Sequence, residues 1–335
     1  MALEDIARRI IDNVELKTLL TNYEKCGSLN PKGYKALLPY ESLVNFQVRE
    51  CKGKIEEVGY QVGEPWSGNI KTAPILFVSR RLAYVSDEIC PRYVPNDSPD
   101  GYGIACTDKI FQNGSLIDGD MTLDEVITWC NERFENAALN GNSLYIRTRG
   151  ANGTENISPN SYWCSVRNNL EFLLSKGFKK SLRKQFASTT GGYVQEIMKC
   201  VACTSVVPYK VFPPKSSEYK KDFLRCQTFE HCWEAFAEEI ISLSGAKVIL
   251  LVGDEILNAF ETSAKFASKS LKATEDSTAN RRGKRGKIKL YEWDGRLVVS
   301  VAPNQGGMRN FSRYFQKSSS IIKTLRAKVK DLVEA

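Results

Sequence analysis

A chain of 335 residues with 42% apolar content can bury a sizeable core, as one large domain with additions or as two smaller ones. No apolar run approaches the ~18–20 residues that cross a bilayer, and Met1 to Arg9 lack the basic start, apolar middle and small-residue exit of a secretory leader; the expectation is a cytoplasmic protein without membrane contact. The net charge of +8 is local: from Lys265 to Lys289 nine Lys or Arg stand against Glu275 and Asp276, which puts +7 there and +1 on the rest, the mark of a polyanion contact or of a solvated loop.

In chain order, Ile6, Ile10, Ile11, Val14 and Leu19 or Leu20 have helical spacing and predict a helix over the first ~20 residues. A mixed stretch follows, with Asn30-Pro31-Lys32-Gly33 as a turn, and residues 1–62 read as an N-terminal helical extension. The turn-rich Gly63-Glu64-Pro65-Trp66-Ser67-Gly68-Asn69 leads into Pro74-Ile75-Leu76-Phe77-Val78-Ser79, short and bounded by turn signals like a buried parallel strand. Pro91 to Gly119, rich in Pro, Asp, Gly and Asn, predicts a long, partly irregular excursion. Thr122 as N-cap with Glu125 three residues on starts a helix over Met121 to Ala138. Leu144-Tyr145-Ile146 predicts a short strand, and Ser161 to Lys176 a helix carrying Trp163, Val166, Leu170, Leu173 and Leu174.

Val201 to Val207, Ala246 to Val252 and Leu297 to Val301 predict three further strands. Helices are expected over Phe229 to Ser242, from Gly253 to about Ala267, and from about Asn310. Ser268 to Gly286 is poor in apolar residues, so a basic mobile segment is expected over 268–289. Strands alternating with helices predict an α/β fold over residues 63–335: a three-layer α/β/α sandwich with a mainly parallel central sheet. Ligands of such sheets sit at the carboxyl ends of the strands. Functional residues are therefore expected just after Val78, Cys203, Val252 and Val301.

Several familiar chemistries find no support. The ten cysteines read as reduced core residues. Cys200 and Cys203, three apart on an expected strand, would point to opposite faces, so no metal site is predicted. There is no G-x-x-x-x-G-K-[ST] loop, and Gly101-Tyr102-Gly103 lacks the rest of a dinucleotide fingerprint. His231, the single histidine, lies in an expected helix beside Cys232 and Trp233 and reads as a packing residue rather than a base. Neither metal nor cofactor is expected.

What remains is an ordered set of strand-end segments. Gly63 to Ile70 followed by Ala73 to Ser79 resembles the first motif of the uracil-DNA glycosylase superfamily, a Pro-Trp/Phe-x-Gly turn feeding a buried strand and the first active-site loop. Ser86-Asp87-Glu88-Ile89-Cys90-Pro91-Arg92 is similar to the acidic-then-proline loop of bacterial branches. Cys203-Thr204-Ser205-Val206-Val207-Pro208 resembles the base-reading strand end, Ala246 to Gly253 the "VVLLVG" strand, and Val301-Ala302-Pro303-Asn304-Gln305 stands in place of the H-P-S second motif. The resemblance covers about Gly63 to Phe315. It implies the glycosylase-like α/β/α fold, a DNA partner and no metal.

The key positions differ from the family pattern. Where the first motif carries an Asn or Asp that positions water, this chain has Ser79-Arg80-Arg81-Leu82; Thr204 stands near the base-reading Asn and Ala302 replaces the second motif's His. Three readings stay open. The first is a glycosylase for an unusual base, as the bacterial anti-phage glycosylases of this superfamily act on glucosylated hydroxymethylcytosine in viral DNA. In it Asp87, Glu88 and Arg81 are the catalytic candidates: the carboxylates orient water or stabilise an oxocarbenium-like sugar, and the guanidinium supplies positive charge. Asp87 and Glu88 read equally well as a solvated cap on the following turn. Arg80, Tyr84, Thr204, Ser205 and Asn304 are the base-binding candidates, with Tyr93 and Phe111 as further stacking aromatics.

Arg281, Arg282, Lys284 and Arg285 are expected on the DNA backbone, and Met308 and Arg309 in the loop that opens the duplex for base flipping. The second reading is a catalytically inactive glycosylase-like protein that still binds DNA. The third is an unrelated α/β enzyme of nucleotides or small molecules.

Overall fold

The computed structural model describes residues 2–18, 60–83, 90–97, 101–112, 115–135, 145–149, 155–159, 161–188, 192–211, 227–267, 272–279, 285–302 and 320–334. The strands are β1 (Tyr60–Gln61), β2 (Ile75–Ala83), β3 (Arg92–Pro95), β4 (Tyr102–Gln112), β5 (Ser115–Asp120), β6 (Tyr145–Arg149), β7 (Glu155–Pro159), β8 (Val201–Val211), β9 (Val248–Val252), β10 (Lys272–Ala279), β11 (Arg285–Trp293) and β12 (Arg296–Ala302). The helices are α1 (Leu3–Ile11), α2 (Leu123–Glu132), α3 (Ser161–Leu173), α4 (Lys176–Gln185) and α5 (Gly192–Lys199). They continue with α6 (Gln227–Cys232), which passes through a π-helical turn at Trp233–Ala237 into α7 (Glu238–Leu243), then α8 (Asp254–Thr262), α9 (Ala264–Ala267) and α10 (Ser320–Val333). The chain folds as two compact units: Met1–Pro65 with Arg81–Cys130 and Val206–Ser242, and Trp66–Arg80 with Asn131–Ser205 and Leu243–Ala335.

The second unit is mixed α/β around a six-stranded sheet of order β10-β11-β12-β9-β2-β8. At its centre β9 is parallel to both β2 and β12, with Val78 opposite Leu251 and Leu251 opposite Ser300. Val-Ile-Leu-Leu-Val in β9 is buried at every position, as a strand covered on both faces requires. Val248, Leu250 and Val252 join Ile75, Phe77 and Val299 in a core with Trp163, Val166 and Leu170 of α3, Ile197 and Met198 of α5, and Ile321, Ile322, Leu325 and Val329 of α10. The alternate strand residues face the other way, where Phe260 of α8 stacks on Phe266 (centroids 4.6 Å apart) and meets Tyr291 edge-on at 5.8 Å.

The mainly parallel central sheet expected here is present, with β2, β9 and β12 parallel, and β10 and β11 extend it past β12 as an antiparallel edge. The β11–β12 connection is Asp294-Gly295 with φ of 52° and 72°, the two positive values a two-residue hairpin of this twist demands. The basic segment expected to be mobile over 268–289 is, in its described parts, largely ladder. β10 pairs with β11 from Lys272 opposite Glu292 to Ala279 opposite Arg285, with Glu275 opposite Lys289. Backbone pairing orders it with little apolar content beyond the buried Ile288, and charged residues suit an edge strand.

In the first unit, Ile6, Ile10 and Ile11 of α1 are fully buried. Val14 is 68% exposed, against its expected place on that face, because the helix breaks at Asp12 and Asn13. Asn13 caps the next turn, its Oδ1 accepting from Leu16 N (2.9 Å) while its amide donates to the Tyr209 hydroxyl (2.5 Å). The stretch from Pro91 to Gly119, expected to be partly irregular, forms three of the four strands of an antiparallel sheet of order β1-β3-β4-β5. Gly101, just before β4, and Gly119, near the end of β5, take positive φ, and the β4–β5 register shifts between Cys106 and Ile110. The expected cap of α2 is present: Glu125 Oε2 accepts from Thr122 N (2.7 Å) and Oγ1 (2.9 Å), which lowers the Glu125 pKa. The turn Asn30–Gly33 lies outside the described residues.

The helix expected over Ser161 to Lys176 is shorter, and a second helix begins where it was to end. The first ends at Leu173, and Ser175 caps α4, its hydroxyl accepting from Phe178 N at 3.1 Å.

Candidate functional site

The carboxyl ends of the parallel strands in the second unit gather the polar side chains that the apolar sheet excludes elsewhere. Ser79 follows Phe77 on the α3 face of β2 and is 7% exposed. Its hydroxyl lies 2.7 Å from Ser205 Oγ and 3.3 Å from the Tyr162 hydroxyl, and 3.5 Å from the Thr204 carbonyl, to which it can donate. Thr204 and Ser205 are each 2% exposed, and half-buried Tyr162 is the outermost of the hydroxyls. Hydroxyls donate and accept, so the chain Ser205–Ser79–Tyr162 can reorient to suit a polar edge of either sense. Among the described residues Ser79 and Ser205 touch no carboxylate or imidazole, so neither is activated as a nucleophile by such a group there.

Arg80, next along β2, points to the opposite face and makes an ion pair with Glu255. Glu255 and Asp254 form the first turn of α8, where carboxylates are favoured by the helix dipole. The residue before them, Gly253, has φ of 129°, which lets β9 turn directly into the helix. Burial raises the Asp254 pKa, the Glu255 carboxylate raises it further, and Arg80 pulls it back.

Of the predicted site residues, Thr204 and Ser205 lie at this strand end, each buried. Arg80 is on β2 but is held by Glu255. Arg81 continues β2, and Arg285 opens β11. Tyr84, Asp87, Glu88, Arg281, Arg282, Lys284, Asn304, Met308 and Arg309 lie outside the described residues.

Tyr93 is not available to stack on a base: it is fully buried in β3, with Lys17 Nζ 5.6 Å from its ring centroid, and burial drives its pKa up. Phe111 is in β4. Lys289, counted in the basic segment, donates to Glu261 Oε1 at 2.7 Å. Tyr162, Asp254 and Glu255 were missed, although Asp254 and Glu255 directly follow a strand end already singled out.

Cys200 ends the turn after α5, its thiol on the Glu196 carbonyl (3.6 Å) and its pKa pushed by burial to about 11, while Cys203 is on β8. Among the described residues no group of three His, Cys, Asp or Glu could hold a metal ion. His231 stands edge-on to Phe236, ring centroids 6.4 Å apart. No helix of the described residues is long and apolar enough to cross a membrane. The chain matches no protein-family model, no curated protein and no solved structure.

Proposed function

We propose that the protein is a DNA glycosylase that hydrolyses the N-glycosidic bond of a modified base and leaves an abasic site. The observation that carries this reading is one row. The segments ending at Val78, Cys203, Val252 and Val301, which together resemble the glycosylase motifs, are four adjacent strands of a single sheet, order β12-β9-β2-β8. Polar groups from Ser79, Thr204, Ser205, Asp254 and Glu255 lie at or just past their ends. A chance resemblance scattered over the chain has no reason to fall into register at one edge.

In the proposed reaction the C1′–N bond breaks, the electron pair leaves with the base, and water supplies hydroxide to C1′ and a proton to the base. Asp87 and Glu88, a few residues past Ser79, would orient that water or stabilise the sugar cation, with Arg81 offsetting negative charge. The hydroxyl chain would read the polar edge of the flipped base. Serine and threonine in place of larger readers suit a bulkier base such as glucosylated hydroxymethylcytosine, which fits a defence role against phage DNA.

The test is incubation with DNAs carrying uracil, hypoxanthine, 5-hydroxymethylcytosine or glucosylated hydroxymethylcytosine, reading released base and alkali-labile sites. Release from one of them is the expected result. Silence across the panel with salt-sensitive DNA binding retained contradicts excision and leaves an inactive DNA-binding relative.

A further inference from the structure

Helix α4 reads Lys-Gly-Phe-Lys-Lys-Ser-Leu-Arg-Lys-Gln, with five cations and no acid in ten residues. Its apolar residues, Phe178 and Leu182, pack against the core of the second unit, and Lys176, Lys180, Arg183 and Lys184 are exposed. Lys176, Lys180 and Lys184 recur every fourth residue and so form one row, about 12 Å long at a rise of about 1.5 Å per residue. Along a duplex each strand carries one phosphate per about 3.4 Å of axis, so the row spans three or four phosphates.

The surroundings of the row are also cationic and fixed. Arg183 lies over the Tyr193 ring at 4.9 Å, and Arg326 over the Phe172 ring at 4.3 Å while donating to the Phe172 carbonyl (2.8 Å). Glu171 is shared between Arg167 (3.5 Å) and Arg183 (3.7 Å), and the Glu334 carboxylate is taken up by Ser175 N (2.6 Å). Burial lowers the Lys179 pKa; Glu171 opposes this, and Arg183, Arg326 and Lys176 reinforce it. Among the described residues, the five cations of α4 with Arg167 and Arg326 outnumber the carboxylates Glu171 and Glu334 beside them, and an external anion would supply the rest.

We infer that α4 is a second nucleic-acid contact, a row of lysines laid along a phosphate backbone at the end of the sheet away from the strand carboxyl ends. The placement follows from α3, which starts with Tyr162 beside Ser79 and ends where Lys179 Nζ donates to the Glu171 carbonyl (2.6 Å). Ser175 N, at the start of α4, donates to Glu334 just past α10 (2.6 Å). Nucleic acid held there is a different segment from any base at the Ser79 end. A lipid surface fits less well, because a membrane-lying helix needs a free apolar face and that of α4 is already packed. The inference goes beyond the glycosylase reading and does not depend on it.

The experiment is binding of a fluorescent, unmodified DNA duplex across a salt series, for the 335-residue chain and its Lys176→Gln/Lys180→Gln/Lys184→Gln variant, with thermal melting as the folding control. The lysines are exposed, so the melt should not move. The expected result is a log–log salt slope shallower by about 3 and affinity lower by at least about tenfold near 0.1 M salt. An unchanged slope and affinity overturn the inference. So does loss of binding to phosphatidylserine vesicles in the variant with DNA binding intact, which would make the surface a membrane contact. Failure of base excision leaves this measurement untouched.

Discussion

Replacing Ser79 and Ser205 singly and together tests whether the hydroxyl chain at the strand ends is one cooperative unit. Both side chains are buried and their oxygens are 2.7 Å apart. Ser205→Ala leaves Ser79 with Tyr162 at 3.3 Å and the Thr204 carbonyl at 3.5 Å, so its cost should be that of one net hydrogen bond, about 1 kcal/mol. Ser79→Ala removes the hub and strands the buried Ser205 hydroxyl, with a cost of about 2 kcal/mol within the ~1–3 kcal/mol range for an unsatisfied polar group. The double variant leaves neither oxygen, so it should cost no more than Ser79→Ala alone.

The resulting coupling is about 1 kcal/mol, readable by calorimetry as melting shifts at about 2–4 °C per kcal/mol for a unit of this size. Strict additivity would refute the reasoning, since it would mean that the two hydroxyls do not share a bond.

Thr122→Ala should cost about 1 kcal/mol through loss of the α2 cap. The Glu125 pKa is lowered in the fold, so the contribution of this pair is present above the ordinary carboxylate range and lost as pH falls through the lowered value. Denaturation at pH 7 and pH 3 should therefore show the cost of Thr122→Ala shrinking in acid; a pH-independent cost would argue against the ionised cap. For Asp254 the sign is opposite. Its pKa is raised, so ionisation opposes folding as pH rises through the ordinary value toward the raised one. Asp254→Asn should raise the melting temperature at pH 7 and leave it unchanged below the carboxylate range; lower stability at pH 7 would show that the charge is favoured at the α8 N-terminus. Gly245→Ala would place a Cβ 1.8 Å from the Lys71 carbonyl oxygen, and should cost about 3 kcal/mol or more; an unchanged melt would show that this loop yields freely.

The central strands were legible because burial on both faces leaves an unbroken apolar run, and Val-Ile-Leu-Leu-Val of β9 needs no context. The α2 cap was legible because its chemistry is local. The β1-β3-β4-β5 sheet was not, since its Gly, Pro and Asp residues are individually loop formers and its order comes from pairing distant in sequence. The β10–β11 hairpin was hidden by its charge, although Asp294-Gly295 was a hairpin signal in plain view for the next turn. At the site, residue types at strand ends could be read from the chain. That Arg80 is claimed by Glu255, and that Tyr162 completes the Ser79 chain, depends on which helices cover each face.

The central claim is tested most directly by mass-spectrometric detection of free base after single-turnover incubation with DNA containing glucosylated hydroxymethylcytosine, for the wild type and for Asp87→Ala/Glu88→Ala. The account predicts base release by the wild type, and loss of release in the double variant with DNA binding nearly unchanged. Equal release by both proteins would remove these carboxylates from the reaction, and release by neither would contradict excision of that base.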